Sequence, residues 1–191
     1  LITIGEKIYW VCPLIEESEK IDLAAAEDRF HQLNKIYKDK VALVHGKMKV
    51  EDREKVMNDF KYGSKMILVA TTVIEVGIDH KKATIMVIEN AERFGLTQLH
   101  QLRGRVGRSF LQSFCYLIQR KETFNSNQRL KIMENTSDGF LISDEDLKLR
   151  GPGDFFGTKQ HGYLNSGLIN FISDREIISR AHDLAFQIIS E

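Results

Sequence analysis

Apolar residues come in short bursts separated by longer amphipathic stretches, and the two alternate along the first two-thirds of the chain. Lys7 to Ile15 is almost continuously apolar (Ile8, Tyr9, Trp10, Val11, Cys12, Leu14), which predicts a strand buried on both faces. After a polar break at Glu16–Lys20, Leu23, Ala26, Phe30, Leu33 and Tyr37 recur at helical spacing and predict a long helix to about Lys38. Val41–Val44 predicts the next strand and His45-Gly46-Lys47-Met48 a loop. Val50–Tyr62 predicts a second helix, with Arg53, Val56, Met57 and Phe60 on one side and Gly63 at its C′ position. Further strands are expected at Met66–Ala70, Ala83–Ile88 and Phe114–Ile118. Thr71 and Thr72 are placed to cap a short helical turn running toward Gly77, and Gly95 to about Arg103 predicts another helix. Strands alternating with helices of about 10–16 residues predict a parallel sheet wrapped by helices. Right-handed crossovers narrow this to a RecA-like or Rossmann-like layered domain.

After Gln119 the rhythm changes, and a domain boundary is expected near residue 120. Glu122–Asn135 reads as helical, and Ser143-Asp144-Glu145-Asp146 reads as the capped start of a second short helix. Pro152 and three glycines force a turn across Arg150–Gly157. Ser173 and Glu176 form another capping pattern, and Ile177, Ala181, Leu184 and Ile188 predict a final amphipathic helix. Residues 1–120 are thus expected to form one domain and 121–191 a smaller helical appendage.

Composition adds limits rather than a function. With 42% hydrophobic and 28% charged residues over 191 positions, the chain has the apolar mass for a real core. No apolar run approaches the roughly 20 residues of a membrane span, so no membrane partner is expected. The opening Leu1-Ile-Thr-Ile has no signal-peptide pattern and reads as the continuation of a longer chain. Two cysteines, Cys12 and Cys115, sit in apolar runs without metal-ligand spacing, so buried reduced thiols and a cytoplasmic setting are expected. The net charge of zero gives no global footprint for nucleic acid. Locally, Lys35–Lys65 holds eight lysines and one arginine against five acidic residues, which suits a backbone-facing patch or a solvated surface equally.

The candidate chemistry is concentrated in Gln98-Leu-His-Gln-Leu-Arg-Gly-Arg-Val-Gly-Arg108, where Arg103–Arg108 holds three arginines and two glycines. On a continuous helix Gln98, Gln101, Arg105 and Arg108 would share one face. Planar, permanently charged forks suit polyphosphate oxygens, and Gly104 and Gly107 would let a phosphate or a backbone come close. Two loops at the carboxyl ends of strands, where open parallel sheets bind ligands, add candidates. His45-Gly-Lys-Met48 is weak alone. In Ala70–Asp79 a threonine hydroxyl and the amides of a helix start form a phosphate seat, Asp79 can accept from a ribose, and Gly77 clears space. There is no Gly-x-x-x-x-Gly-Lys-Ser/Thr loop, and no Asp-Glu pair follows a strand to hold magnesium. Phosphate-gripping arginines without a phosphate loop predict half of a site. An arginine supplied from a second unit in this way accelerates phosphoryl transfer by about 10³–10⁵.

Residues 66–108 resemble the second RecA-like domain of a superfamily 2 helicase, with Ala70–Asp79 similar to motif V and Gln101-Leu-Arg-Gly-Arg-Val-Gly-Arg108 to motif VI. Asp138-Gly-Phe, Asp146-Leu-Lys-Leu-Arg-Gly-Pro-Gly153 and Gly157-Thr-Lys-Gln-His-Gly162 resemble the translocation motif of the RecG family of bacterial fork-remodelling translocases. Val11–Ser18 and the alanine-rich stretch after it fit the same family. Lys159 and His161 depart from it, standing where Arg and Ser are expected. The resemblance implies a RecA-like parallel sheet flanked by helices, followed by a helical-hairpin and loop module for translocation. It implies that Arg105 and Arg108 reach the γ-phosphate of ATP, with Gln101 at the interdomain cleft. Gly77 and Asp79 would line the nucleotide side and Thr71 would touch the DNA backbone. Arg129, Arg150 and Gln160 would convert cleft closure into a stroke along branched or forked duplex DNA. ATP and Mg2+ would be held mainly by a first RecA-like domain outside this chain, which with a wedge domain would be its intramolecular partner. Alone, residues 1–191 would hydrolyse no ATP. Rival readings are the transcription–repair coupling translocases, against which Pro152 and Phe155-Phe-Gly-Thr158 speak, and a non-catalytic nucleic-acid-binding module.

Overall fold

The computed structural model describes residues 6–13, 19–71, 80, 82–150, 177 and 180. Among them, strands β1 (Lys7–Val11), β2 (Val41–Val44), β3 (Ile67–Ala70), β4 (Ala83–Glu89) and β5 (Phe114–Ile118) pair in parallel in the order β2-β3-β1-β4-β5. The helices are α1 (Glu19–Tyr37), α2 (Val50–Tyr62), α3 (Leu96–Arg103), α4 (Phe124–Asn135) and α5 (Gly139–Arg150). The alternation of apolar bursts and amphipathic stretches therefore reports a parallel sheet flanked by helices. The step from β1 to β2 leads one way across the sheet, and every later step leads the other way. Right-handed crossovers then place α1 on one face and α2 and α3 on the opposite one. On the α1 face Ala26 and Leu33 pack with Cys12, Val41, Ile67 and Val69, bordered by Ile8, Trp10, Phe30 and Leu43. On the other, Phe60 of α2 lies 5.4 Å from Tyr9, ring centre to ring centre.

Strand β3 is buried at all four positions and β4 at all seven, Thr84 and Glu89 included, while β1 alternates between buried and half-buried positions. Strand β5 pairs with β4 alone among the described strands, and Phe114, Tyr116 and Ile118 stay exposed along it. Cys12 is buried, Cys115 is half-buried, and both thiols are free. Burial pushes the Cys12 thiol up to about 12, and Cys115 up to about 11, so neither is a thiolate at neutral pH.

Several boundaries differ from the expectations. Strand β1 stops at Val11, and Pro13, which has no amide to donate, follows it. Gly63 is the C-cap of α2 in extended backbone, not a left-handed C′ residue. Its need for glycine is spatial, since an added Cβ would run into the Asp59 carboxylate and carbonyl. Helix α5 begins at Gly139, because the Asp138 carboxylate accepts from the amides of Phe140 (2.8 Å) and Leu141 (3.4 Å). Ser143–Asp146 therefore lies in the interior of α5 and is not its start. The strand–helix alternation ends near residue 120, but the packing does not. The first compact unit runs Leu1–Ile142 and the second Ser143–Glu191. The turn at 151–157 and the Ser173/Glu176 pattern lie outside the described residues. So does the last helix, apart from Ile177 and Arg180, which are helical.

One buried charge supports the sheet at its amino edge. Lys7, only 5% exposed, donates from Nζ to the carbonyls of Phe60 and Lys65 (2.9 Å for the latter) and sits 5.1 Å from the centre of the Phe60 ring. Phe60 belongs to the last turn of α2, whose carbonyls lack helical partners, so the ammonium caps that helix end. Burial, helped by Lys82 and opposed by Asp59, lowers the Lys7 pKa below the usual 10.5. In the window between the lowered value and 10.5 the unfolded chain binds more protons than the folded one, so this group makes stability rise with pH. Urea unfolding of the wild type and Lys7→Met from about pH 8 upward should show the wild type gaining on the variant. A difference that shrinks as pH rises would contradict this sign.

Candidate functional site

The carboxyl ends of β2, β3 and β4 present three polar side chains without hydrogen-bond partners among the described residues: His45 (Nδ1), Thr71 (Oγ1) and Asn90 (Oδ1). Thr71 is 1% exposed, and its amide donates to the Val44 carbonyl. Asn90 holds a left-handed backbone, φ 48°, at the turn out of β4. The connections leave β1 and β4 in opposite directions, so the crevice between these strands is where an open sheet ordinarily seats a ligand. Here Glu89 fills that place. It is 6% exposed, accepts from the Trp10 indole (2.7 Å), pairs with Arg29, and has Arg120 at 3.7 Å. An engaged carboxylate is a poor seat for phosphate, which turns attention to the arginines beyond α3.

Helix α3 is anchored by Leu96, Leu99 and Leu102, each at most 1% exposed, at offsets of three. Gln98 turns back so that its Oε1 accepts from the Gly95 amide (3.1 Å), which assigns it to capping rather than to a ligand-facing row. The helix stops at Arg103. Gly104 keeps right-handed helical angles, the amides of Arg105 and Val106 bond back to Leu102 and Arg103, and Gly107 takes φ +78°. The expectation that Gln98, Gln101, Arg105 and Arg108 share a helix face is thus corrected: only the two glutamines are in the helix. The glycines are not explained by close protein neighbours, since a Cβ would meet nothing nearer than 3.4 Å at Gly104 and 3.8 Å at Gly107. At Gly107 the backbone angle is the requirement.

The turn separates the three arginines. Val106, 9% exposed, pins its middle, with Arg105 half-buried on one side and Arg108 exposed on the other. Arg108 folds back so that its Nε donates to the Gly104 carbonyl (2.9 Å). Gln101 is exposed on the last turn of α3. Arg103 points elsewhere. Its Nη1 donates to the carbonyls of Met133 (2.7 Å) and Thr136 (2.8 Å), and its Nη2 lies 3.2 Å from His100 Nδ1. Arg129 makes a matching pair of bonds from α4, donating to the carbonyls of Phe94 (3.0 Å) and Glu92 (2.8 Å). Hydrogen bonds of this charged kind contribute about 1.5–3 kcal/mol each. Nothing in the residue pattern separates Arg103 from its neighbours, because which fork turns inward depends on where the helix ends. Gly77, Asp79 and Gln160 lie outside the described residues, as does the Arg150 side chain.

Chemically, Arg105 and Arg108 on a glycine-set turn offer forked donors to phosphate oxygens. This donor set fits the polyphosphate of a nucleotide and does not fit a divalent cation. No group of three or more His, Cys, Asp or Glu able to hold a metal occurs among the described residues.

Comparison with known proteins places the chain among helicase C-terminal domains. Residues 1–110 match the family described as helicase conserved C-terminal domain, and residues 136–191 match that described as ATP-dependent DNA helicase RecG, domain 3, C-terminal. The chain is 47% identical over 183 residues to the ATP-dependent DNA helicase RecG of Synechocystis sp., covering 95% of this chain and 22% of that protein. With the protein of the same name from Bacillus subtilis it shares 45% over 188 residues, covering 97% of this chain and 28% of the relative. The chain therefore spans about a quarter of the length of these curated relatives. A solved structure of RecG bound to a three-way DNA junction superposes with a TM-score of 0.67 at 43% identity, covering 80% of this chain and 20% of that one.

Proposed function

Because the chain belongs to the helicase C-terminal domain family and, within it, to the RecG helicases, we propose that it is the second motor domain of an ATP-dependent double-stranded DNA translocase that remodels stalled forks and branched recombination intermediates. The observation that carries this reading is the turn from Gly104 to Arg108. It holds two forked cations beyond the end of a rigid helix, in a chain with no phosphate loop to bind a nucleotide itself. Arg105 and Arg108 would stabilise charge on the transferring phosphoryl group of ATP bound to the first RecA-like domain, with Gln101 at the cleft between the domains. Mg2+ belongs with the carboxylates of that other domain; when bound, it would neutralise phosphate charge there.

The remaining assignments follow the family pattern. Gly77 and Asp79 would serve the nucleotide side and Thr71 the DNA backbone, the latter supported by a hydroxyl without a described partner at the end of β3. Arg129, Arg150 and Gln160 form the translocation group. Support for Arg129 comes from its two bonds to the segment that leads into α3. Branched DNA as substrate is supported by the junction bound to the RecG of the solved structure. A bacterial cytoplasmic setting goes with this reading, and no described helix is long and apolar enough to cross a membrane.

The test is a comparison of two preparations. The full-length protein should unwind a three-way DNA junction with ATP, and residues 1–191 alone should show no DNA-stimulated phosphate release. Turnover by residues 1–191, or a full-length protein that binds junctions without consuming ATP, would overturn the proposal.

A further inference from the structure

Carbonyls in the last turn of a helix lie past the reach of its own amide ladder. At the carboxyl end of α2 two side chains from elsewhere in the chain supply the missing bonds. Lys7 donates to the Phe60 carbonyl, and the imidazole of His80 meets the Lys61 carbonyl with Nε2 at 2.9 Å. The histidine is engaged on its other nitrogen as well. The Lys82 amide donates to Nδ1 (3.1 Å), so the ring proton sits on Nε2, the nitrogen that faces the Lys61 carbonyl. The ring also stands edge-on to Phe60, 6.1 Å between centres at 61°. Its backbone is tied in the same way: the His80 carbonyl accepts from the Ala83 amide (2.9 Å), which closes the turn into β4, and the Lys82 carbonyl accepts from the Lys7 amide (2.9 Å). A half-buried histidine outside the helices and strands is thus fixed by both ring nitrogens, by its ring edge and by its own carbonyl. Entering a strand requires none of the ring contacts, so what they fix is the residue itself and the chain that leads to it.

Asp79 directly precedes His80 in the chain. Parallel pairing brings the amino ends of β4 and β5 to one edge of the sheet, so His80, which leads into β4, and the 104–108 turn, which leads into β5, enter from the same side. We propose that His80 is a positioning residue for nucleotide binding: clamped between α2 and the Lys82 amide, it sets the point from which Asp79 reaches the ribose. The inference rests on the reading of Asp79 as a nucleotide-facing residue. One peptide unit separates the two, so an aspartate joined to a fixed neighbour has less backbone freedom to lose when it meets a ribose hydroxyl. The ribose is remote from the transferring phosphoryl group, and a contact made equally in ground and transition states lowers KM without changing kcat. His80 itself touches no reacting atom.

The experiment measures kcat and KM for ATP in the full-length protein at saturating three-way DNA junction. It compares the wild type with His80→Ala, His80→Phe, His80→Gln and Asp79→Ala. His80→Ala should raise KM about five- to tenfold and leave kcat within about twofold. His80→Phe keeps a ring against Phe60 and loses both polar bonds, so it should fold and show the same rise. His80→Gln offers an N–H to the Lys61 carbonyl and an oxygen to the Lys82 amide, so its KM should stay within about twofold of wild type. Asp79→Ala should raise KM at least as far as His80→Ala. A raised KM for Asp79→Ala with an unchanged KM for His80→Ala and His80→Phe overturns the clamp and leaves Asp79 as read. An unchanged KM for Asp79→Ala overturns that reading and the proposal with it. A His80→Gln variant as impaired as His80→Ala would show that the two bonds do not set the position. A fall in kcat at unchanged KM for His80→Ala would place the residue's effect on the chemical step. Either result overturns the proposal.

Discussion

Arg108→Ala in the full-length protein is expected to lower kcat for DNA-stimulated ATP hydrolysis by about 10³–10⁵, with little change in KM. The size follows from what is removed and when it acts. A fork facing the transferring phosphoryl group meets the charge that develops in the transition state, so its loss falls on kcat rather than on binding. Arg108 is exposed and bonded locally to the Gly104 carbonyl, so the variant should fold and melt like wild type. Arg108→Lys should restore only part of the rate, because a point charge on a flexible stem cannot bind two oxygens in one plane. Steady-state phosphate release at saturating junction DNA, compared with circular dichroism of the same samples, checks the expectation. Hydrolysis unchanged by Arg108→Ala would refute the assignment of this arginine and leave a nucleic-acid-binding module as the better reading.

What the residue pattern discloses, and what it withholds, divides along physical lines. All five strands are legible because each is an almost wholly apolar burst, as a strand buried on both faces must be, although β5, an equally apolar burst, keeps Phe114, Tyr116 and Ile118 exposed. Parallel order follows from the helical stretches between them. Helix ends are less legible, since they are set by single side chains reaching backbone amides. Asp138 rather than Ser143 starts α5, and a sequence in which both types precede apolar residues does not choose between them. The arginine site is legible as a composition and not as a geometry. Three arginines within six residues announce anion chemistry, but α3 ends at Arg103 and the turn that follows, with Gly107 at φ +78°, breaks the periodicity that would have aligned Arg105 and Arg108. Arg103 then turns inward to cap α4. Glu89 and Lys7, the two buried charges among the described residues, lie at opposite ends of the sheet and leave no signal at all. Each is an ordinary polar residue at the margin of an apolar run, and its partners are 53 to 79 residues away for the Lys7–Phe60 and Trp10–Glu89 bonds.

Those long-range partners point to the position where one substitution should cost the fold most. Phe60→Ala is expected to destabilise this chain by about 3–5 kcal/mol, which for a chain of this size lowers Tm by roughly 6–20 °C. Phe60 is fully buried and joins α2 to two other parts of the molecule: β1, through Tyr9 at 5.4 Å and the Lys7 ammonium at 5.1 Å, and the His80 ring at 6.1 Å. Truncation removes the ring's transfer energy and leaves a cavity against a strand that is itself central to the sheet, where neighbouring backbone cannot collapse to refill it. It also removes an aromatic face from a buried cation, which no other ring near Lys7 replaces among the described contacts. Phe60→Leu, which keeps most of the volume, should recover much of the loss, because volume-conserving apolar changes usually cost less than about 1.5 kcal/mol. Urea unfolding of the three proteins at neutral pH distinguishes the outcomes. A loss under about 1 kcal/mol for Phe60→Ala would mean that α2 is held to the sheet chiefly by other contacts, the bond of Lys7 to the Phe60 carbonyl among them, and not by this ring.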